Sequence, residues 1–253
     1  MWIRLRQVAL VADDLESVVS EFHDVLGINV AYRDPGVAAF GLHNAVMPAG
    51  EQFIEVVSPT EPGTAGGRYL ERRGGDGGYM VILQCSDHGP VKARVDAAGV
   101  RKVVERDTDH YRLMQLHPRD TGGSFLEIDV QLGGESMSGP WEPAGPDWQT
   151  ARTEAVQAIV SVDIQSNDPE SLARRWSQIL GLQVDTMAGV PTIGLDNAVL
   201  RFTVATDDRG EGLAGIGIRV HNGPSLLAAA SARGCHMDDA TVMLGGIAVT
   251  LIE

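Results

Sequence analysis

The chain has 253 residues, 43% hydrophobic and 21% charged, enough for one large or two medium domains with a substantial buried core. Its formal net charge of −14 repels phosphate backbones and anionic lipid, so nucleic acid and membrane surfaces are excluded as partners. No apolar run approaches the roughly 18 residues of a membrane span, and two distant cysteines, Cys85 and Cys235, point to a reduced, cytoplasmic protein.

The first apolar stretch is broken by Arg4, Arg6 and Gln7, which makes Ile3–Val11 a strand rather than a signal peptide. Asp14 is placed to cap a helix whose apolar positions Leu15, Val18, Val19, Phe22, Val25 and Leu26 share one face, and Gly27 stops it. Three strands are expected next, Ile28–Arg33, Val37–Leu42 and Gln52–Val57, separated by Asp-Pro-Gly and Pro-Ala-Gly turns. Arg68, Arg72 and Arg73, interrupted by Glu71, fit a solvated helix face. A second strand and helix follow from Tyr79, and a strand from Thr121 closes this half. Gly133–Gln149 is rich in Gly, Ser and Pro and reads as a linker.

Internal repetition organises the whole chain. ADDLESVVSEFHDVLGINV from Ala12 aligns without a gap to SNDPESLARRWSQILGLQV from Ser166, an offset of 154 (168 − 14). GLHNAVM from Gly41 returns as GLDNAVL from Gly194, one residue out of step. Weaker matches join Gly89-Pro90 to Gly223-Pro224 and the closing strand from Thr121 to that from Leu244, with the last unit shortened by about a hairpin's worth of chain. The expected fold is α+β: four tandem βαβββ units in two pairs, forming curved mixed sheets with helices on the convex face. The expected domains are 1–133 and a degenerate 152–253, joined by a linker over 134–151.

This layout resembles the vicinal oxygen chelate, or glyoxalase-like, superfamily of glyoxalases, bleomycin-resistance proteins, methylmalonyl-CoA epimerase and extradiol dioxygenases. The sharpest likeness is LHPRDTGGSFLEI from Leu116, similar to the closing segment of the superfamily's second unit. The resemblance implies metal ligands on first and last strands, which fall on Gln7, Glu55 and Glu127. The fourth position falls on Met80, where family members usually carry His. A thioether is a soft, weak donor for such ions, whereas an amide oxygen and two carboxylates suit Mg²⁺, Mn²⁺, Ni²⁺ or Zn²⁺ with water filling open positions.

The residues also speak for themselves. Glu55 in Phe-Ile-Glu-Val-Val and Glu127 in Phe-Leu-Glu-Ile are lone acids in apolar strands, and a core-facing carboxylate is costly unless paired, protonated or metal-bound. The alternative is that strand alternation turns each to solvent. His43, near a strand end, is a candidate for the substrate pocket beside Met80, with turn capping as its other reading. In the second half the corresponding positions are expected at Ser161, Ala214 and Thr250, with no acid in the strand from Ala198, so ring-cleaving dioxygenase activity is not expected.

The resemblance and the paired acids together suggest a lyase or isomerase acting on a small vicinally oxygenated carbonyl compound. Glu127 is the first choice as catalytic group and Glu55 the second, with the divalent metal that the resemblance implies. The other reading is a sequestering small-molecule-binding protein of the same fold, motivated by Met80. Either would act as a monomer with an internal pseudo-dimer or as a homodimer.

Overall fold

The computed structural model describes residues 1–253. The first half runs β1 (Ile3–Val11), α1 (Leu15–Leu26), β2 (Leu42–Ala49), β3 (Gln52–Pro59), α2 (Ala65–Arg73), β4 (Gly77–Cys85), α3 (His88–Ala97), β5 (Lys102–Asp107), β6 (Tyr111–Leu116) and β7 (Phe125–Gln131). The second runs β8 (Val156–Ser166), α4 (Pro169–Leu180), β9 (Asp185–Met187), β10 (Val190–Gly194), β11 (Val199–Val204), β12 (Gly212–Val220), α5 (Gly223–Arg233), β13 (Thr241–Leu244) and β14 (Ile247–Ile252). Two mixed seven-stranded sheets result, ordered β2-β3-β1-β4-β7-β6-β5 and β13-β14-β12-β8-β11-β10-β9. This is the α+β architecture of tandem βαβββ units.

Local chemistry sets the repeated helices. Asp14 accepts the amides of Glu16 and Ser17, and Gly27 leaves α1 at φ 66°. Asp168 and Gly181 (φ 70°) bound α4 in the same way. Their apolar faces join one core that spans both halves, from Leu5, Val8 and Phe22 to Trp176, Phe202 and Ile216. α1 meets α5 and α3 meets α4, so these four helices lie between the sheets and the concave faces turn outward.

Contacts between the halves are partly reciprocal. Arg94 Nη2 on α3 donates to Leu180 O at the end of α4 at 2.8 Å, while Arg175 Nη1 on α4 donates to Ala98 O at the end of α3 at 3.0 Å. Each guanidinium satisfies carbonyls that a helix end leaves open. Gln52 pairs its amide with both Ile159 N and Ile159 O, each at 2.8 Å. Gly50 (φ 68°) lets the β2–β3 turn touch the other half, because a Cβ there would stand 1.8 Å from Gln157 O.

Two expected strands are absent from the first half. Ile28–Arg33 retains only the Tyr32–Val46 bridge, and Pro35–Phe40 is a 3₁₀ helix where a strand from Val37 was expected. Asp34 accepts the Gly36 amide at 2.8 Å and Pro35 starts the turn with φ fixed and no donor to give, which favours a helical turn over a hairpin. The second half does form the hairpin as β9–β10. Ala188 (φ 50°) and Gly189 (φ 81°) supply the two left-handed residues that such a tight turn needs.

The GLHNAVM/GLDNAVL match is therefore one of sequence only: the first copy enters β2, the second makes the β10–β11 turn. Strand register gives the structural correspondence. Ala9 pairs with Glu55 in the first sheet and Asp163 pairs with Arg201 in the second, so Glu55 answers to Arg201. Ile82 and Glu127 likewise answer to Gly217 and Thr250, and Met80 to Gly215 rather than Ala214.

Candidate functional site

Two β-bulges decide what the first concave face presents. Between Leu5 and Gln7, β1 gains a residue on β4, so Arg6 and Gln7 both turn outward from the main core. Between Ala9 and Leu10 the extra residue is on β4, and Tyr79 and Met80 both join the concave cluster. Strict alternation then resumes: Ala9 and Val11 on β1, Asn44 and Val46 on β2, Glu55 on β3, and Glu127 and Asp129 on β7 share this face.

Glu55 is bracketed by amides. Gln7 Nε2 donates to its Oε2 at 2.8 Å and Asn44 Nδ2 to its Oε1 at 2.6 Å. Burial nevertheless pushes its carboxyl up to about 7, against the Asn44 hydrogen bond and with Glu127 adding repulsion. Glu127, also raised by burial, accepts from Gln115 Nε2 at 2.9 Å, and that amide lies 3.9 Å from Met80 Sδ. Asp129 is fully buried and accepts the Tyr111 hydroxyl at 2.6 Å. Glu55 and Glu127 are both buried, with 7% and 8% of their surface exposed.

The connecting segment is packed onto this site rather than solvated. Trp141 and Trp148 are each 1% exposed within the concave cluster, beside Phe53 and Tyr111. Trp141 Nε1 donates to Gln7 Oε1 at 2.8 Å. Arg4 Nη1 holds Glu135 O at 2.8 Å, Arg6 Nη1 holds Met137 O at 2.6 Å, and Gln131 Oε1 accepts the Glu142 amide at 2.9 Å. The Arg6 guanidinium lies 5.1 to 5.6 Å from the ring centres of Phe53, Trp141 and Trp148, and burial lowers it to about 9. A composition rich in Gly, Ser and Pro hides this role, while the two tryptophans were the available signal. α2 covers the face from the other side through Tyr69 and Leu70, with Tyr69 Oη donating to Gly78 O at 2.9 Å.

Of the expected site residues, the structure brings Gln7 and Glu55 into direct contact and sets Met80 and Glu127 on the same face. His43 is a correction. It is exposed on the opposite side of β2, one residue out of phase with the covered face, and its neighbour Asn44 is the one that reaches Glu55. Asn44, Gln115, Asp129, Trp141 and Tyr111 belong to this cluster without having been singled out in the sequence.

The donor set can be tested against a divalent ion. An indole N–H only donates, so Trp141 fixes Gln7 Oε1 toward itself and leaves Gln7 Nε2, which cannot ligate, facing Glu55. Both Glu55 oxygens already accept amides, and Met80 offers a soft sulfur where a hard or borderline ion wants oxygen or imidazole. No three His, Cys, Asp or Glu side chains converge on one point. The residues as arranged do not fit Mg²⁺, Mn²⁺, Ni²⁺ or Zn²⁺.

Comparison with known proteins agrees with this architecture. A hypothetical protein from Staphylococcus aureus superposes with a TM-score of 0.66 at 14% identity, covering 100% of this chain and 99% of that one. A triple mutant of 4-hydroxymandelate synthase from Streptomyces coelicolor superposes with a TM-score of 0.68 at 16% identity, over 96% and 77% of the two chains. Methylmalonyl-CoA epimerase from Mycobacterium tuberculosis matches 50% of this chain and 87% of its own at 24% identity, with a TM-score of 0.44. No curated protein matches the chain. No helix is long and apolar enough to cross a membrane. The glyoxalase-like domain model matches residues 8–180, more than half of the sequence and including the tryptophan-bearing segment, and the chain belongs to that family.

Proposed function

We propose that the protein is an enzyme of the lyase or isomerase type that moves a proton on a small vicinally oxygenated carbonyl compound. One observation carries this reading: two buried carboxyls, Glu55 and Glu127, share a concave face, and burial shifts both upward. A carboxyl near 7 exists in both forms at neutral pH, which is what proton exchange with a carbon acid requires. Glu127 as carboxylate takes the proton from the carbon beside the carbonyl while that C–H bond breaks. Glu55 as acid donates a hydrogen bond to the oxygen where charge gathers, which stabilises the enediolate that forms. The amides of Gln7, Asn44 and Gln115 hold the two acids in place. The expected divalent ion has no part in this scheme, and elemental analysis of protein purified without chelator is expected to find none in stoichiometric amount.

A panel of α-hydroxy carbonyl compounds incubated in D₂O tests the reading, with deuterium incorporation followed by NMR. Exchange that falls roughly 10²–10⁴-fold in Glu127→Gln supports it. The competing reading is a sequestering protein, favoured by the apolar wall of Tyr79, Met80, Phe125 and Trp141. A compound that binds but never exchanges would decide for sequestration. A reduced, cytoplasmic setting is part of the proposal, because both cysteines are free and burial raises the Cys85 thiol to about 12.

A further inference from the structure

Asp129 has no place in that scheme, yet it is the most costly group on the face. It is 0% exposed, and Tyr111, which donates to its Oδ2 at 2.6 Å, is 2% exposed. Its Oδ1 is buried and makes no well-formed hydrogen bond, with the Met114 backbone amide the further donor near the carboxyl. No arginine or lysine pairs with it. Two residues earlier on β7, and so on the same side of the strand, Glu127 comes within hydrogen-bonding contact of it. The other charged groups nearby are Arg106, which acts on Glu127, and Glu142, which acts on Tyr111. Two ionised carboxylates in contact in a buried site repel far more strongly than one phenol can offset. One proton between them turns that repulsion into a hydrogen bond.

We infer that Asp129 is a carboxylic acid that keeps its proton and donates it in a hydrogen bond to Glu127, while accepting from Tyr111, so that Tyr111, Asp129 and Glu127 form one directed line. Asp129 is then a positioning residue: it orients Glu127 and keeps it able to ionise on a buried face. The proton belongs on Asp129 because that residue is the more deeply buried of the two, 0% exposed against 8% for Glu127. Burial, followed by the neighbouring Glu127 charge, raises Asp129 well above the usual carboxylate range. The inference rests on Glu127 being the functional acid only for its consequence in catalysis; the proton's location is independent of any substrate.

Infrared spectroscopy of protein carrying ¹³C-labelled aspartate tests it at about pH 8, where ordinary aspartates are ionised. An isotope-shifted band of a protonated carboxyl is expected, absent from Asp129→Asn and retained in Glu55→Gln. No such band, or one that survives Asp129→Asn, overturns the inference whatever the activity. The asparagine variant can still accept from Tyr111 and donate to Glu127, so it is expected to keep proton exchange within about threefold of the native rate. Asp129→Leu cannot donate, and the ¹³C NMR titration of Glu127 is expected to move up by about one pH unit or more. Exchange abolished in Asp129→Asn with Glu127 titrating as before would make Asp129 an ionised base instead. If no substrate is ever found but the band behaves as stated, the functional proposal fails and this inference stands.

Discussion

The first sheet carries α2 and the segment from Gly133 to Gln149 across its concave face, and beneath them Gln7, Glu55, Met80 and Glu127 are all buried. The second sheet has only a short helix-free connection, Ala205–Glu211, where α2 would be, and its equivalent residues are Ser161, Arg201, Gly215 and Thr250. Ser161, Arg201 and Thr250 are only half-buried. Both faces hold a charged side chain at the β3 and β11 position, but the outcomes differ. Arg201 meets Asp163 at 3.2 Å and keeps 42% of its side-chain surface, an ordinary solvent-facing pair. Glu55, buried with no cation beside it, is forced toward its neutral form. The sheet topology is shared, and the cover decides whether an acid on it becomes chemically useful.

Removing the cover is the most drastic way to break this contrast. Trp141→Ala is expected to cost about 3–5 kcal/mol in urea unfolding, because it empties a fully buried site and strips Gln7 Oε1 of its donor. Unfolding free energy unchanged to within about 0.5 kcal/mol would mean that the segment lies loosely on the face.

Glu55 gives the next effect, through pH. Its folded value of about 7 lies above the 4.5 of an exposed glutamate, so the native state binds the proton more tightly. The associated stability is complete below about pH 4.5 and is lost as pH rises through about 7, an amount on the order of 3 kcal/mol. Glu55→Gln, which mimics the neutral acid, is expected to flatten that part of the pH–stability curve. A slope unchanged in the variant would place Glu55 in a wetter setting than its hydrogen bonds indicate.

The smallest change is expected on the open sheet. Arg201→Ala removes a half-exposed pair and is expected to shift stability by less than about 1 kcal/mol, less still in high salt. A loss approaching that of Trp141→Ala would show that the second face is covered in solution.

Much of this was legible in the chain itself. Asp14, Gly27, Asp168 and Gly181 bound α1 and α4 because capping and helical periodicity act over a few residues, and Glu55 and Glu127 stood out as acids in apolar strands. Which residues lie on the covered face was decided elsewhere. The bulges that aim Gln7 and Met80, and the phase that turns His43 out and Asn44 in, come from pairing between distant strands. The repeat GLHNAVM/GLDNAVL misled for the same reason, since a local likeness carries no register. The amino-acid sequence by itself determined the repeated α+β units and the two acids on their strands. Only the tertiary structure, by laying Trp141 over Gln7 and Asp129 against Glu127, decided that these acids are buried, amide-bound and pushed toward their neutral forms, because burial depends on what the rest of the chain brings to cover them.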